Sequence, residues 1–457
     1  MAGMVKGRLA LAVTLLAAAA ATAAEPAREL THRVWLLSGV PDAGMLTALR
    51  AAGVDGLVVP VGRVEVGDGS SRFTLAPLPD LRALAGWPVT ALVWVDGADK
   101  ASGDPQAFAA QFAPAQRGLP GSPRLLFASR RFFPGLAGFA TGVASRLKQT
   151  VELAAPVQEL AAHLPPRGWT HIRPVAVALG NPSALGFPAA TLQDDLAALD
   201  RLDATGTPYR VAVVVAPLAD PAPGPAGASL ALLASGETAV YAPGERGDTF
   251  RLRQPVDWGG VEVAAGRSIT VEAVDTARYH RDLGLLLRPA RPALEGWDTV
   301  GLPAPEPALG MSREAFLEYL QGGSPYPVPR VDVEWVGSAT MRVALANPTA
   351  QASALSTTGN WVELRFAGTE VRDAQLGEFS GMEYGSIDAG GTWRRTAARG
   401  ASALRFYLTF IPPQARVAGA LVTFISRPRA VETRWGMRVG DGGAVTGSLE
   451  GVALRKR

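Results

Sequence analysis

The chain has 457 residues, carries a formal net charge of +3, is 19% charged and contains no cysteine. Its length allows two domains with separate hydrophobic cores. Without cysteine there are no disulfides, no thiolate zinc site and no lipid-modified amino-terminal cysteine. The basic residues are scattered and mostly arginine, and there are only four histidines, so we expect neither a nucleic-acid partner nor a metal or other cofactor.

The first 24 residues have the three regions of a secretory signal peptide. Lys6 and Arg8 precede the apolar run Leu9–Ala20, and small residues ending at Ala24 follow it. The run is shorter than the roughly 20 residues that a membrane-spanning helix requires, and no later segment is apolar for long enough. We therefore expect residues 1–24 to be removed and the mature protein to be exported, either periplasmic or secreted, without a transmembrane segment.

The middle of the chain has the pattern of a βαβ unit. The apolar segments Ile172–Leu179 and Tyr209–Ala216 are typical of buried strands, and the amphipathic segment Thr191–Ala204 between them is typical of a helix. This order predicts a parallel sheet, in which ligands bind at the carboxyl ends of the strands.

Other segments extend this pattern in both directions. Helical spacing over Ala137–Leu164 predicts one or two helices, and alternation over Thr249–Val274 predicts inserted antiparallel strands. Further strands are predicted at Arg33–Gly39, Gly53–Pro60, Val89–Val95, Arg124–Ala128 and Asp282–Pro289. We therefore predict that residues 25–324 form a decorated or degenerate β/α barrel.

The last part of the chain has a different pattern. From residue 330 to residue 457, apolar and polar residues alternate with period two between Gly, Asn and Pro, which predicts a β-sandwich. The prolines of Pro325–Pro329 fit neither a helix interior nor a central strand, and we interpret them as a domain boundary. The predicted fold class is α/β plus all-β, a barrel followed by a C-terminal β-sandwich.

This layout resembles that of bacterial exported proteins with a glycoside-hydrolase-like, TIM-type barrel followed by a β-sandwich. The strand and Asn-Pro turn of Arg342–Thr349 are similar to those of sandwich domains appended to such barrels. The resemblance implies a carbohydrate site at the carboxyl ends of the barrel strands. The sequence departs from the family at the central strand, where Gly180, Asn181 and Pro182 stand in place of the usual acidic residue.

A glycosidase needs two carboxylates about 5 to 10 Å apart. None of the acidic residues that follow predicted strands lies in a distinctive motif, and such residues usually form turns or helix caps. They are Asp42, Glu65, Asp96, Asp99, Asp220 and Glu245. The catalytic candidates are Asp96, Asp99, Asp220 and Glu245. An aromatic ring beside a carboxylate suits a sugar, so Trp94 and Asp96, together with Asn181, are the candidate ligand-binding residues.

Three functions are open at this point. We favour a non-catalytic, glycosidase-like module that binds a glycan or another cell-envelope component, because the candidate carboxylates lie in Gly- and Pro-rich loops and not in a dry pocket. The alternative is a glycoside hydrolase with a carboxylate pair. A third function is a structural or assembly role through exposed sandwich edges. A serine triad is disfavoured, because the chain has no Gly-x-Ser-x-Gly motif.

Overall fold

A computed structural model describes residues 30–77, 81–98, 101–121, 123–165, 169–178, 191–215, 218–220, 232–233, 238–244, 247–258, 260–272, 275–287, 291–303, 311–439 and 443–449 of the protein. The predicted signal peptide, residues 1–24, lies outside these ranges. No helix within them is long and apolar enough to cross a membrane.

Strands and helices alternate between Thr31 and Leu320, apart from one inserted run of strands. In chain order the elements are β1 (Thr31–Trp35), α1 (Ala43–Ala51), β2 (Gly56–Val66), β3 (Ser71–Leu75), a 3-10 turn (Leu81–Leu84), β4 (Val89–Gly97), α2 (Pro105–Gly118), β5 (Arg124–Ala128), α3 (Pro134–Leu147), β6 (Val151–Pro156), α4 (Val157–His163), β7 (Ile172–Ala178), α5 (Leu192–Ala204), β8 (Tyr209–Val214), β9 (Leu218–Asp220), β10 (Ala239–Gly244), β11 (Gly247–Leu252), β12 (Val256–Asp257), β13 (Glu262–Val263), β14 (Ser268–Glu272), α6 (Thr276–Leu286), β15 (Leu294–Val300) and α7 (Arg313–Leu320).

Eight of these strands form a closed parallel barrel. They pair in the order β1, β2, β4, β5, β6, β7, β8 and β15, and β15 pairs with β1 to close the ring. An apolar cluster occupies the interior toward the carboxyl ends of the strands, and a second apolar layer lies between the strands and the surrounding helices. The predicted barrel is confirmed, and the ring is complete.

The barrel is also decorated, as the alternating pattern predicted. Strand β3 pairs antiparallel with β2. Between β8 and α6, strands β9, β10, β11 and β14 form a four-stranded antiparallel sheet, and β12 pairs with β13. Trp258 and Phe250 are fully buried in the core of this insertion.

Two predicted elements of the barrel were wrong. The helical region expected over Ala137–Leu164 contains strand β6 between α3 and α4. The last parallel strand, expected at Asp282–Pro289, is β15 instead, and Asp282 lies in α6. In α6 the side chain of Asp275 accepts a hydrogen bond from the N–H of Arg278, which is an N-cap that starts a helix.

The remaining strands form the second, all-β part of the chain. They are β16 (Arg330–Trp335), β17 (Thr340–Ala346), β18 (Asn360–Ala367), β19 (Val371–Gln375), β20 (Gly381–Ile387), β21 (Trp393–Arg395), β22 (Ala403–Leu408), β23 (Arg416–Phe424), β24 (Ala430–Val439) and β25 (Gly443–Leu449). One sheet has the order β16-β17-β23-β19 and the other β21-β20-β22-β18-β24-β25. A shared core that includes Met341, Val422, Leu364 and Phe406 lies between them, as predicted for a sandwich.

Candidate functional site

The carboxyl ends of the strands form the mouth of the barrel, which is the face where β/α barrels carry their binding sites. On β4, Leu92 is fully buried in the interior cluster and Trp94 packs against the same cluster. Side chains alternate along a strand, so Asp96 also projects toward the inside, one step nearer to solvent. The structure therefore brings the predicted ligand-binding residues Trp94 and Asp96 together at the mouth.

Trp94 lies at the border between the apolar interior and solvent. Its side chain is half-buried. The guanidinium carbon of Arg130, in the turn after β5, lies 5.9 Å from the centre of the indole ring. A cation over an aromatic ring is a favourable contact, so the indole is held from two sides and is partly open to a ligand.

Asp96 forms an ion pair with Arg63 of β2, and its side chain is 39% exposed. Glu65 is the register partner of Asp96 on β2 and is exposed. Neighbouring strands lie about 4.8 Å apart, so this sector of the mouth combines two carboxylates and one guanidinium on adjoining strands.

The other described strand ends contribute apolar side chains to the interior. The members of the apolar interior cluster that lie nearest the mouth on β5 to β8 and on β15 are Ala128, Ala154, Val177, Val214 and Val300. Within the strand residues that the structure describes, the interior-facing carboxylates at the mouth are those of β2 and β4. The polar part of the mouth is therefore confined to one sector.

The remaining candidates are distributed as follows. Asp99, Asn181 and Glu245 lie outside the described residues. Asp220 ends β9, and its backbone pairs with Thr270 in the inserted sheet and not with a barrel strand. Asp42 is the N-cap of α1, where its Oδ1 accepts the N–H of Met45 at 2.8 Å, a cap role that suits an acidic residue after a strand.

A group of charged residues that sequence reasoning missed lies inside the opposite, amino-terminal end of the barrel. Asp298 of β15 accepts hydrogen bonds from Nε of Arg33 at 2.9 Å and from Nε of Arg210 at 2.8 Å. Nη1 of Arg33 also donates to Glu152 Oε2 at 2.7 Å. All four side chains are buried, on strands β1, β6, β8 and β15.

Each charge in this group is balanced by its neighbours. Burial by itself would raise the pKa of Asp298, but Arg33 and Arg210 outweigh it and lower the pKa to about 2. Burial disfavours the charged form of Arg33, and the carboxylates of Asp298 and Glu152 overcome this and raise its pKa above the ordinary value. The ion pairs of these four residues link strands on opposite sides of the barrel interior.

A signal for these residues is present in the sequence. Arg33, Glu152 and Arg210 each stand at an inward position of an apolar strand, where an unpaired charge would be prohibitively costly. Such a residue predicts a partner of opposite charge in the same interior. Elsewhere in the described residues, no group of three or more His, Asp or Glu side chains has the arrangement of a metal site.

No protein-family model and no curated protein matches the chain. Solved structures with a similar arrangement include the spore cortex-lytic enzyme SleL of Bacillus megaterium QM B1551, which has 12% identity and a TM-score of 0.37 over 60% of this chain and 71% of that chain. A family GH18 chitinase from Chromobacterium violaceum has 9% identity and a TM-score of 0.31 over 92% of both chains. Chitinase ChiW from Paenibacillus sp. str. FPU-7 has 10% identity and a TM-score of 0.36 over 91% of this chain and 56% of that chain. At these values the similarity is one of general architecture.

Proposed function

We propose that the protein is an exported, non-catalytic binding protein whose barrel takes a glycan of the cell envelope at its mouth. The observation that carries the proposal is the placement of Trp94 and Asp96 on one strand, both directed into the mouth. A sugar ring can stack on the open part of an indole while a carboxylate accepts hydrogen bonds from its hydroxyl groups. Asn181, which follows β7 in the sequence, is the third proposed contact.

The surroundings of Asp96 favour binding over catalysis. A glycoside hydrolase needs one carboxyl group that keeps its proton in a dry pocket. Asp96 is instead partly exposed and ion-paired with Arg63, so it does not lie in a dry pocket. Its carboxyl oxygens at the mouth are suited to accept hydrogen bonds from a sugar.

A glycoside hydrolase is the second candidate function, because Glu65 and Asp96 are register partners on adjoining strands. The spacing between neighbouring strands is close to the 5 to 5.5 Å that separates the carboxyl groups of retaining hydrolases. Asp99, Asp220 and Glu245 are further members of the candidate set for this activity.

The test is a glycan-array screen of the mature protein, followed by titration of the best ligand. Trp94→Ala should weaken binding roughly tenfold through lost stacking, and Asp96→Asn should weaken it by a similar factor. Trp393→Ala is the matched control, since Trp393 is also half-buried but belongs to the sandwich. Its affinity should equal that of the parent protein.

Three outcomes decide between the functions. Glycan binding that survives both Trp94→Ala and Asp96→Asn would remove the mouth as the site. Release of reducing sugar that stops in both Glu65→Gln and Asp96→Asn would establish the hydrolase. For export, the protein recovered outside the cytoplasm should begin at Glu25, and a chain that retains residues 1–24 would contradict that part of the proposal.

A further inference from the structure

A cavity of about 370 Å³ lies at the amino-terminal end of the barrel, opposite the mouth. Its walls come from the first residues of β1, β2, β4, β5 and β8. They include the side chains of Arg33, Arg124 and Arg210, the carboxylate of Asp55 and the indole of Trp87. The volume is in the range of small-molecule sites, and an apolar wall beside a few polar groups is typical of them.

The guanidinium groups of this cavity keep hydrogen-bond donors available. Each guanidinium has five N–H donors, and Arg33 and Arg210 each use four of them. The fifth donor, on Nη2 of Arg33 and on Nη1 of Arg210, has no acceptor among the described residues. Arg124 is 64% exposed, and its Nη1 lies 3.8 Å from Oε1 of Glu152, beyond hydrogen-bond distance.

Glu152 is the ion-pair partner of Arg124, but the two side chains share no hydrogen bond. The Glu152 side chain is only 2% exposed, and its Oε1 accepts no hydrogen bond from any described residue. A buried carboxylate oxygen would normally draw the nearest guanidinium into contact. The Arg124 guanidinium lines the cavity and donates no hydrogen bond to a described residue, so its donors are available to a ligand.

The cavity also offers an acceptor. Oδ2 of Asp55 accepts the backbone N–H of His32 at 2.7 Å, whereas its Oδ1 has no donor among the described residues. The charges of Arg33, Arg124 and Arg210 are balanced by those of Asp55, Glu152 and Asp298, so charge alone does not select a multiply charged anion. The ligand must therefore match acceptors to the guanidinium groups and a donor to Asp55.

We propose that this cavity binds a small hydroxycarboxylate of the sugar-acid class. Its carboxylate accepts hydrogen bonds from Arg124 and from the spare donors of Arg33 and Arg210, and a hydroxyl group donates to Asp55 Oδ1. Guanidinium groups recognise carboxylates through two parallel hydrogen bonds. This site is separate from the mouth and goes beyond the proposed glycan binding.

The test is calorimetric titration of the mature protein with D-glucuronate, D-glucose and sulfate. D-glucuronate should bind at least tenfold more tightly than D-glucose, which lacks the carboxylate, or than sulfate, which lacks the hydroxyl groups. Arg124→Ala should reduce the affinity for D-glucuronate roughly tenfold. Arg146→Ala is the control, because Arg146 is exposed at the end of α3, and its affinity should not change.

The exposed position of Arg124 means that its substitution should leave the melting temperature of the free protein unchanged, so a loss of affinity reports on the site and not on folding. Trp94→Ala should leave D-glucuronate binding intact, which separates this site from the mouth. Absence of D-glucuronate binding, equal binding of sulfate, or an unchanged affinity in Arg124→Ala would each overturn the proposal.

Discussion

At the scale of single residues, His32 lies in an environment that keeps its imidazole ring neutral. It is buried against the ring of Trp297, with ring centroids 4.6 Å apart, and its Nε2 lies 2.9 Å from the hydroxyl of Thr299. Burial lowers the pKa of His32 to about 3, with Asp298 opposing the shift and Arg210 adding to it. The imidazole is therefore neutral in the folded protein at every moderately acidic pH.

This environment makes stability depend on pH. Between its ordinary pKa of 6.5 and its folded pKa of about 3, His32 binds a proton in the unfolded chain but not in the folded one. The effect of His32 on the free energy of unfolding is therefore absent well above pH 6.5 and grows as the pH falls. Between pH 7.5 and pH 4 it lowers the free energy of unfolding by roughly 3 kcal/mol. Asp298, with its pKa lowered to about 2, adds a further loss only below about pH 4.

Urea unfolding across pH 7.5 to 4 measures the slope. His32→Phe keeps an aromatic ring against Trp297 and removes the titrating group. The change in its unfolding free energy over this range should therefore be roughly 3 kcal/mol smaller than that of the parent protein. His171→Phe is the control, since His171 is exposed, and it should follow the parent slope. A parental slope in His32→Phe would assign the pH dependence to other groups.

At the scale of elements, closure of the barrel depends on a close approach between β1 and β15. A β-carbon on Gly296 would overlap the carbonyl oxygen of Thr31 and would lie 2.7 Å from Nη1 of Arg210. Gly296→Ala must therefore push β15 away from the strands that it joins, and we expect the unfolding free energy to fall by about 1 to 3 kcal/mol.

A second glycine provides the control for that experiment. Gly284 lies on the exposed side of α6, and a β-carbon there would meet nothing within 4 Å. Gly284→Ala should stabilise the protein by about 0.5 to 1 kcal/mol, because alanine loses less backbone freedom in a helix. Chemical denaturation of both variants measures the difference, and equal effects of the two substitutions would contradict steric closure at β15.

The accuracy of the sequence predictions differs between elements for physical reasons. Helix α5 was predictable because Thr191 and Asp194 form a capping box at its start and apolar residues recur at helical spacing. Strand β6 was missed, since it is short, rich in alanine and continuous with α4 without a turn residue. Strand β15 was missed because Gly296 and Asp298 are unfavourable in strands by composition. Asp298 is paired with arginines of the two neighbouring strands, β1 and β8, and no local pattern reveals these partners.

The same reasoning applies to the candidate site. The position of Trp94 and Asp96 at the mouth was predictable because both stand at the end of one apolar strand, and the position of that end follows from the barrel itself. The ion pair between Asp96 and Arg63 depends on how β2 and β4 align across a bulge near Gly62. A single sequence does not encode that register in any local pattern, so the partner of Asp96 could not be predicted.

At the scale of the whole molecule, the barrel and the sandwich each have an apolar core, and they touch through polar contacts and through two apolar residues. Ala350 packs into the core of the barrel and Leu355 into the core of its insertion. The N–H of Ala350 donates to Oε2 of Glu318 at 3.1 Å, and Nε2 of Gln351 donates to the carbonyl oxygen of Ala315 at 3.0 Å. Both join the turn after β17 to α7. These contacts hold the two parts together independently of the chain that connects them.

The connecting chain, residues 321–329, has neither helix nor strand, and Val328 is 51% exposed. A protease needs an extended, accessible backbone, so we expect limited proteolysis to cut first within residues 322–329 and to give fragments that end near residue 325 and begin near residue 330. Mass spectrometry identifies the ends of the fragments.

The two fragments of the parent protein should stay together in size-exclusion chromatography. They should separate more readily in Glu318→Ala, because this substitution removes one contact between the two parts. Stable fragments divided at any other place would refute the proposed domain boundary.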